Sequence, residues 1–84
     1  MSRGKSEVMA LLEQRLRELR AGRGLSQEAV ARKIDTTLRT YCRYEADGAD
    51  PKISALIKIA DLYGVSLDYL AGRTDDPHFE AKAK

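Results

Sequence analysis

The sequence has very little cysteine and histidine and no tryptophan. Among its 84 residues, Cys42 and His78 are the only representatives of their types. A single cysteine cannot form an internal disulfide, so a cytoplasmic location is the default expectation. One cysteine and one distant histidine cannot build a metal site, and neither a nucleophile–base pair nor a phosphate-binding loop is present. We therefore predict that the protein is not an enzyme and that it needs no metal or cofactor.

Long apolar runs are also absent. No stretch approaches the roughly 20 apolar residues that a membrane-spanning helix needs, and the N-terminus lacks the apolar segment of a secretory signal. We expect no membrane association. Hydrophobic residues at 43% and charged residues at 33% are typical of a folded globular protein and not of a disordered chain. A chain of this length buries only a thin core, which favours a dimer.

Charge is unevenly distributed along the chain, although the net charge is only +2. Residues 15–43 carry a net charge of +5, residues 44–84 carry −3, and residues 1–14 are neutral. A local excess of arginine and lysine is the usual mark of a surface that faces phosphates. A solvated charged face is the alternative, and composition alone does not decide between the two.

The stretch from residue 26 to residue 45 contains two short helical patterns separated by a two-residue turn. Ser26 and Thr37 are good N-caps because their hydroxyl oxygens accept hydrogen bonds from the first free backbone N–H groups of a helix. Asp35, at the start of the turn, adopts a left-handed conformation more easily than most residues. The stretch therefore predicts two helices joined by a tight turn.

The second of these helices has two distinct faces. Tyr41 and Tyr44 are three residues apart, which places both on one face, and we predict that this face is buried. The opposite face carries Arg39, Cys42 and Arg43, flanked by Leu38 and Thr40. The pattern predicts a short helix that is anchored by two aromatic side chains and exposes its arginines.

This stretch resembles the helix-turn-helix of Cro/lambda-repressor-type (XRE-type) regulators. The resemblance rests on Ser26-Gln27-Glu28, Ala31, Thr37, Tyr44-Glu45, Pro51, Ala60, Leu62, Val65-Ser66-Leu67-Asp68 and Leu70. It covers roughly residues 10 to 74. It implies an all-α, five-helix lambda-repressor-like DNA-binding domain in which helices 2 and 3 are the helix-turn-helix. It also implies a sequence-specific transcriptional regulator, by expectation a repressor, that binds double-stranded DNA.

Three further helices are predicted around this unit. They run from about Ser6 to Ala21, from about Ile53 to Tyr63, and from Leu67 to Ala71. Glycines follow the first two, and Ser66 can cap the last. We predict a flexible N-terminus over residues 1–5, one DNA-binding domain over 6–74, and a loose or partner-dependent tail over 75–84.

Two groups of residues are predicted to contact DNA. The base-reading group is Leu38, Arg39, Cys42 and Arg43. The phosphate-binding group is Arg20, Arg23, Gln27, Thr37 and Thr40. For Arg20 and Gln27, this role is what the resemblance implies. A guanidinium can hold guanine O6 and N7 with two parallel hydrogen bonds. Either Arg39 or Arg43 could bind a phosphate instead. Thr37 could be a plain cap, and Cys42 could be a redox switch or simply a small residue near the groove.

The resemblance also implies an ion pair and a dimer. Arg20 and Glu45 would form a partly buried pair, the alternative being two independent surface charges. Acidic residues follow the second helix of the helix-turn-helix, at positions where the family often has amide or basic residues. We therefore expect each subunit to bind DNA weakly and a homodimer to occupy a two-fold operator. The predicted dimer interface is Ile57, Tyr69, Leu70 and Phe79. The alternative function is an antitoxin or adaptor module whose main partner is another protein, with or without DNA binding.

Overall fold

The computed structural model describes residues 4–78, with side chains from Glu7 onward, and contains five α-helices. These helices are α1 (Gly4–Gly22), α2 (Gln27–Lys33), α3 (Leu38–Ala46), α4 (Ile53–Tyr63) and α5 (Leu67–Ala71). The predicted all-α, five-helix fold is confirmed. α1 begins at Gly4, inside the stretch that we predicted to be flexible. Phe79, assigned above to a dimer interface, lies outside the described residues.

The helices begin and end where local chemistry allows. The hydroxyl oxygens of Ser26, Thr37 and Ser66 each accept a hydrogen bond from the backbone N–H three residues further on, at 3.0–3.1 Å. Each bond satisfies one of the donors that the first turn of a helix leaves free. Gly64 ends α4 in the left-handed conformation with φ 68°, which glycine adopts without steric cost.

The core is built from side chains of all five helices and of the residues that flank them. Its buried apolar side chains are Leu12, Leu16, Val30, Ala31, Ile34, Tyr41, Tyr44, Ile59, Ala60, Tyr63, Val65 and Leu70. The predicted burial of Tyr41 and Tyr44 is confirmed, and their rings pack edge to face with centroids 6.1 Å apart. An aromatic pair of this geometry contributes about 0.5–1.5 kcal/mol beyond its area. The two tyrosines therefore fix the orientation of α3.

Leu70 does not belong to a surface available to a second subunit. Its side chain is only 1% exposed and lies in the core. Tyr69 is half-buried, with the guanidinium of Arg15 4.0 Å above the centroid of its ring. The prediction that Leu70 forms a dimer interface is wrong, because α5 turns this side chain towards the other helices.

The chain after α5 is held against the domain as far as His78. The backbone N–H of Ser66 donates to the carbonyl of Pro77 at 3.1 Å, and Val65 and His78 form an isolated antiparallel bridge. Residues 75–78, which we predicted to belong to a loose or partner-dependent tail, are thus paired with the domain through Pro77 and His78 in this structure. Backbone groups that would otherwise bond water are paired with the segment between α4 and α5.

Arg15 of α1 secures this segment. It is 7% exposed, and its guanidinium donates to the carbonyls of Thr74, at 2.9 Å, and Tyr69, and to the carboxylate of Asp75 at 2.8 Å. A buried charge is tolerated only when it is paired and hydrogen-bonded, as it is here. Arg15 was not predicted from the sequence to have a structural role, although it lies three residues after the buried Leu12 and therefore on the same side of α1.

Candidate nucleic-acid interface

The turn between α2 and α3 is closed by one left-handed residue. Asp35 has φ 61°, the only positive φ among the described non-glycine residues, as its place in the sequence predicted. The next backbone N–H, of Thr36, returns to the carbonyl of Ala31 at 2.9 Å. Aspartate adopts this conformation with less strain than most residues. The tight turn brings the first residues of α3 close to α2.

The exposed face of α3 presents two arginines one turn apart. Both Arg39 and Arg43 are exposed. Among residues 4–78, no side chain is paired with Arg39, while the Nε of Arg43 lies 3.9 Å from a carboxylate oxygen of Asp47. Exposed ion pairs of this kind contribute at most about 1 kcal/mol, so Arg43 can exchange this partner for another. The arrangement offers two planar donor groups to an anionic or acceptor-rich ligand.

The start of α3 carries one apolar and two hydroxyl side chains. Leu38 is the first residue of the helix and is 45% exposed. The hydroxyl of Thr37 donates to that of Thr40 at 3.0 Å and accepts from the backbone of Thr40. Thr37 is thus a helix cap in this structure. Contact of either threonine with DNA stays a prediction.

Cys42 and Gln27 contact each other between α3 and α2. The Cys42 thiol donates to Oε1 of Gln27 at 3.4 Å, and Nε2 of Gln27 donates to Glu45 at 3.1 Å. Both side chains are half-buried. Cys42 therefore lies beside α2 and not on the outermost face of α3. One N–H of the Gln27 amide and its oxygen are thus engaged within the domain, and a phosphate contact by this side chain would have to use its second N–H.

Glu45 is the buried centre of a hydrogen-bond network. Its side chain is 2% exposed, and its carboxylate accepts from Arg20 Nε at 2.7 Å, from Arg20 Nη2 at 3.1 Å, from Gln27 and from the hydroxyl of Tyr41. The ion pair that the resemblance implied is present. Burial raises the pKa of Glu45, but the hydrogen bonds from Arg20, Tyr41 and Gln27 outweigh burial and hold the pKa below its ordinary value. Glu45 therefore stays ionised.

The pKa values of Arg20 and Tyr41 are raised, so both partners of Glu45 stay protonated and remain hydrogen-bond donors. The hydrogen bond to Glu45 raises the pKa of Arg20, and burial together with the nearby carboxylate raises the pKa of Tyr41. A further Arg20 donor, Nη1, bonds the carbonyl of Leu25 at 3.1 Å. Arg20 is thus bound to α3 and to the loop before α2. A phosphate contact would have to use its remaining N–H groups.

Arg17 also contacts the end of α3, and this contact was not predicted from the sequence. Its Nη1 donates to the backbone carbonyl of Glu45 at 2.6 Å. The Arg17 side chain is exposed. A cation at a helix C-terminus interacts favourably with the helix dipole. Arg17 adds a positive charge beside α3 in the segment where the sequence is most basic.

Arg23 is directed to a different part of the molecule. Its guanidinium donates to the carbonyls of Tyr63, at 3.1 Å, and Leu62, at 3.4 Å, and lies 5.6 Å from the centroid of the Tyr63 ring. Carbonyls in the last turn of a helix have no partner within the helix. Arg23 therefore binds the end of α4, and its contact with a phosphate stays a prediction.

Residues 4–78 contain neither a membrane-spanning helix nor a cluster of metal-binding side chains. None of the described helices combines the length and the apolar composition needed to cross a membrane. No three histidine, cysteine, aspartate or glutamate side chains in this part of the chain are grouped so that they could hold a metal ion.

Two short helices, α2 and α3, are joined by a left-handed residue, and α3 buries its tyrosines and exposes its arginines. This arrangement defines a helix-turn-helix domain. The sequence model of the helix-turn-helix family matches residues 16–70. The chain belongs to this family, in its Cro/lambda-repressor (XRE) type.

Several known proteins are similar to the chain. It is 42% identical over 71 residues to the uncharacterised HTH-type transcriptional regulator YobD of Bacillus subtilis, covering 84% of this chain and 63% of YobD. It is 38% identical over 64 residues to the HTH-type transcriptional regulator ImmR of Bacillus subtilis, covering 76% of this chain and 50% of ImmR. It is 34% identical over 65 residues to the cryptic phage CTXphi transcriptional repressor RstR of Vibrio cholerae, covering 77% of this chain and 59% of RstR.

The chain thus spans between 50% and 63% of the length of these relatives. No solved structure matches it at a significant level.

Proposed function

We propose that the chain is a sequence-specific regulator of transcription that binds double-stranded DNA through α3. The observation that carries this proposal is the arrangement of α3. Tyr41 and Tyr44 fix one face in the core, and Arg39 and Arg43 are exposed on the other. A helix that is held rigidly and presents arginines can enter the major groove, where guanine offers two acceptors to one guanidinium.

The charges around α3 support the same ligand. Arg17 and Arg20 lie at its C-terminal end, within the basic part of the chain. Such a surface attracts the phosphate backbone and orients the protein on the duplex. Repression is the proposed effect, in line with the relative RstR, whose name describes a transcriptional repressor. Occupying an operator requires no catalytic step, so the proposed regulator is not an enzyme.

We assign the exposed apolar surface of α4 and α5 to a homodimer. Ile53, Ile57 and Leu67 are 63%, 45% and 38% exposed, and Ile57 and Leu67 both line a depression of about 410 Å³. Asp47 and Asp50 are exposed beyond α3 and repel phosphates, which weakens the binding of a single subunit. Two subunits on a two-fold operator would place their recognition helices about 34–36 Å apart.

Selection of bound sites from random duplexes, at a fixed salt concentration, tests the proposal. We expect a preferred sequence with two-fold symmetry and a binding affinity that falls steeply with salt. Binding that shows no sequence preference at any salt concentration would contradict it.

The alternative function, an antitoxin or adaptor for another protein, would use the same surface of α4 and α5. The mass of the purified protein in solution separates the two. A homodimer that binds DNA supports the regulator, whereas a monomer that binds DNA only together with a second polypeptide supports the adaptor.

A further inference from the structure

Leu38 is an unusual residue for a charged recognition surface. Among the described residues of α2 and α3, it is the only large apolar side chain that is exposed, at 45%. The neighbouring residue Arg39 is exposed, and Arg43 lies one helical turn beyond it. The burial of α3 does not explain Leu38, because Tyr41, Tyr44 and Glu45 fill the core-facing side.

Leu38 also borders a depression in the surface. The depression has a volume of about 190 Å³ and lies between the start of α3 and α2, lined by Glu28, Ala31, Arg32, Thr36 and Leu38. The one acidic residue in the lining, Glu28, lies 4.0 Å from Arg32, so the charge of its carboxylate is offset. Ala31 and Leu38 supply the apolar part of this lining, beside the exposed arginines of α3.

We infer that Leu38 and this depression read the 5-methyl group of a thymine in the major groove. The inference rests on the proposed binding of DNA by α3. The residues at the N-terminal end of a recognition helix are the ones that reach base edges, and Leu38 is the first residue of α3. The thymine methyl is the apolar group that the major groove presents, and apolar side chains contact it. The exposed arginines beside Leu38 favour a nucleic acid over an apolar polypeptide at this place.

The experiment removes the methyl group and nothing else. In a duplex obtained by selection, each thymine is replaced in turn by deoxyuridine, and binding is measured by fluorescence anisotropy at fixed salt. We expect the affinity to fall about fourfold at one thymine per subunit, which corresponds to one buried methyl group. With Leu38→Ala, thymine and deoxyuridine should bind equally at that position.

Two further variants make the result specific. Leu38→Met keeps an apolar side chain and should keep the preference for thymine. Val8→Ala shortens a comparably exposed apolar side chain, 40% exposed on α1, and should leave the whole pattern unchanged. Circular dichroism of each variant establishes that it is folded before binding is measured.

Two outcomes would overturn the inference. In one, no thymine shows a loss on replacement by deoxyuridine. In the other, a loss appears but persists unchanged in Leu38→Ala, which would assign the methyl contact to another residue. Both leave the proposed function standing because the selected duplex is still bound specifically. A failure of the proposed function differs, since selection would then yield no preferred sequence.

Discussion

Arg20 near the end of α1 and Glu45 near the end of α3 are 25 residues apart in the sequence and are joined by two hydrogen bonds of 2.7 and 3.1 Å. Glu45 is buried, while Arg20 remains 23% exposed. Gln27 and Tyr41 donate to the same carboxylate, so its desolvation is offset by four hydrogen bonds in all. The network links α1, α2 and α3, and we propose that it holds the recognition helix at a fixed angle.

Removal of Glu45 should destabilise the protein strongly. Glu45→Ala leaves Arg20 and Tyr41 without their acceptor, and breaking a buried pair from one side costs about 3–5 kcal/mol. Urea unfolding followed by circular dichroism measures the change in the free energy of unfolding. Glu28→Ala removes an exposed carboxylate and should change that free energy by about 0.5 kcal/mol or less. A loss below about 1 kcal/mol for Glu45→Ala would contradict the prediction.

The pKa of Glu45 predicts how stability depends on pH. Because this pKa is below its ordinary value of 4.5, the folded state binds the proton less readily than the unfolded state. The stabilisation is therefore fully present above pH 4.5 and is lost as the pH falls through the folded pKa. We expect the free energy of unfolding to decrease more steeply below pH 4.5 in the wild type than in Glu45→Gln. Parallel pH profiles would show that Glu45 makes no such contribution.

Arg39 and Arg43 should determine sequence preference. Arg39→Ala and Arg43→Ala each remove a group able to discriminate one base by about 1–3 kcal/mol, and each should relax the preference at one position of the selected site. Competition gel shifts with single-base variants of the site measure this. Arg73→Ala removes an equally charged, 77% exposed side chain after α5 and should retain the preference. Full discrimination by both α3 variants would remove their assigned role.

Arg15 should control the attachment of residues 73–78. Arg15→Ala removes the donor that binds Thr74 and Asp75, so the segment should detach from the domain. The backbone N–H of Ser66 bonds the carbonyl of Pro77 and reports this detachment by faster hydrogen exchange. Arg32→Ala, which alters a 72% exposed arginine on α2, is the control and should leave that exchange rate unchanged. Unchanged protection of Ser66 in Arg15→Ala would contradict the prediction.

Charges placed on the α4–α5 surface should dissociate the proposed dimer. Ile57→Asp and Leu67→Asp put like charges opposite each other across a two-fold interface, which favours monomers. Sedimentation velocity over a range of concentrations measures the change. Val8→Asp introduces the same charge at an exposed apolar position of α1 and should leave the assembly intact. A wild type that is monomeric at all concentrations, or variants that remain dimeric, would reject this interface.

The sequence by itself determined the helices and the two faces of α3. Ser26, Thr37 and Ser66 cap helices through bonds to residues three positions away, and Tyr41 and Tyr44 share a face because of the helical period. These are local rules, and a reader of the sequence can apply them directly. The family resemblance added the pairing of Arg20 with Glu45, which no local rule predicts.

The tertiary structure alone decided which side chains are available to a ligand. Gln27 was predicted to contact phosphate, and only the tertiary structure reveals that one N–H and the oxygen of its amide are already bonded to Glu45 and Cys42. Leu70 was predicted to be at an interface, and its side chain is buried in the core by the packing of α5 against α1 and α4. Arg15 reaches a segment about 60 residues away in sequence. Contacts of that kind depend on how distant elements pack, and no periodicity along the chain encodes them.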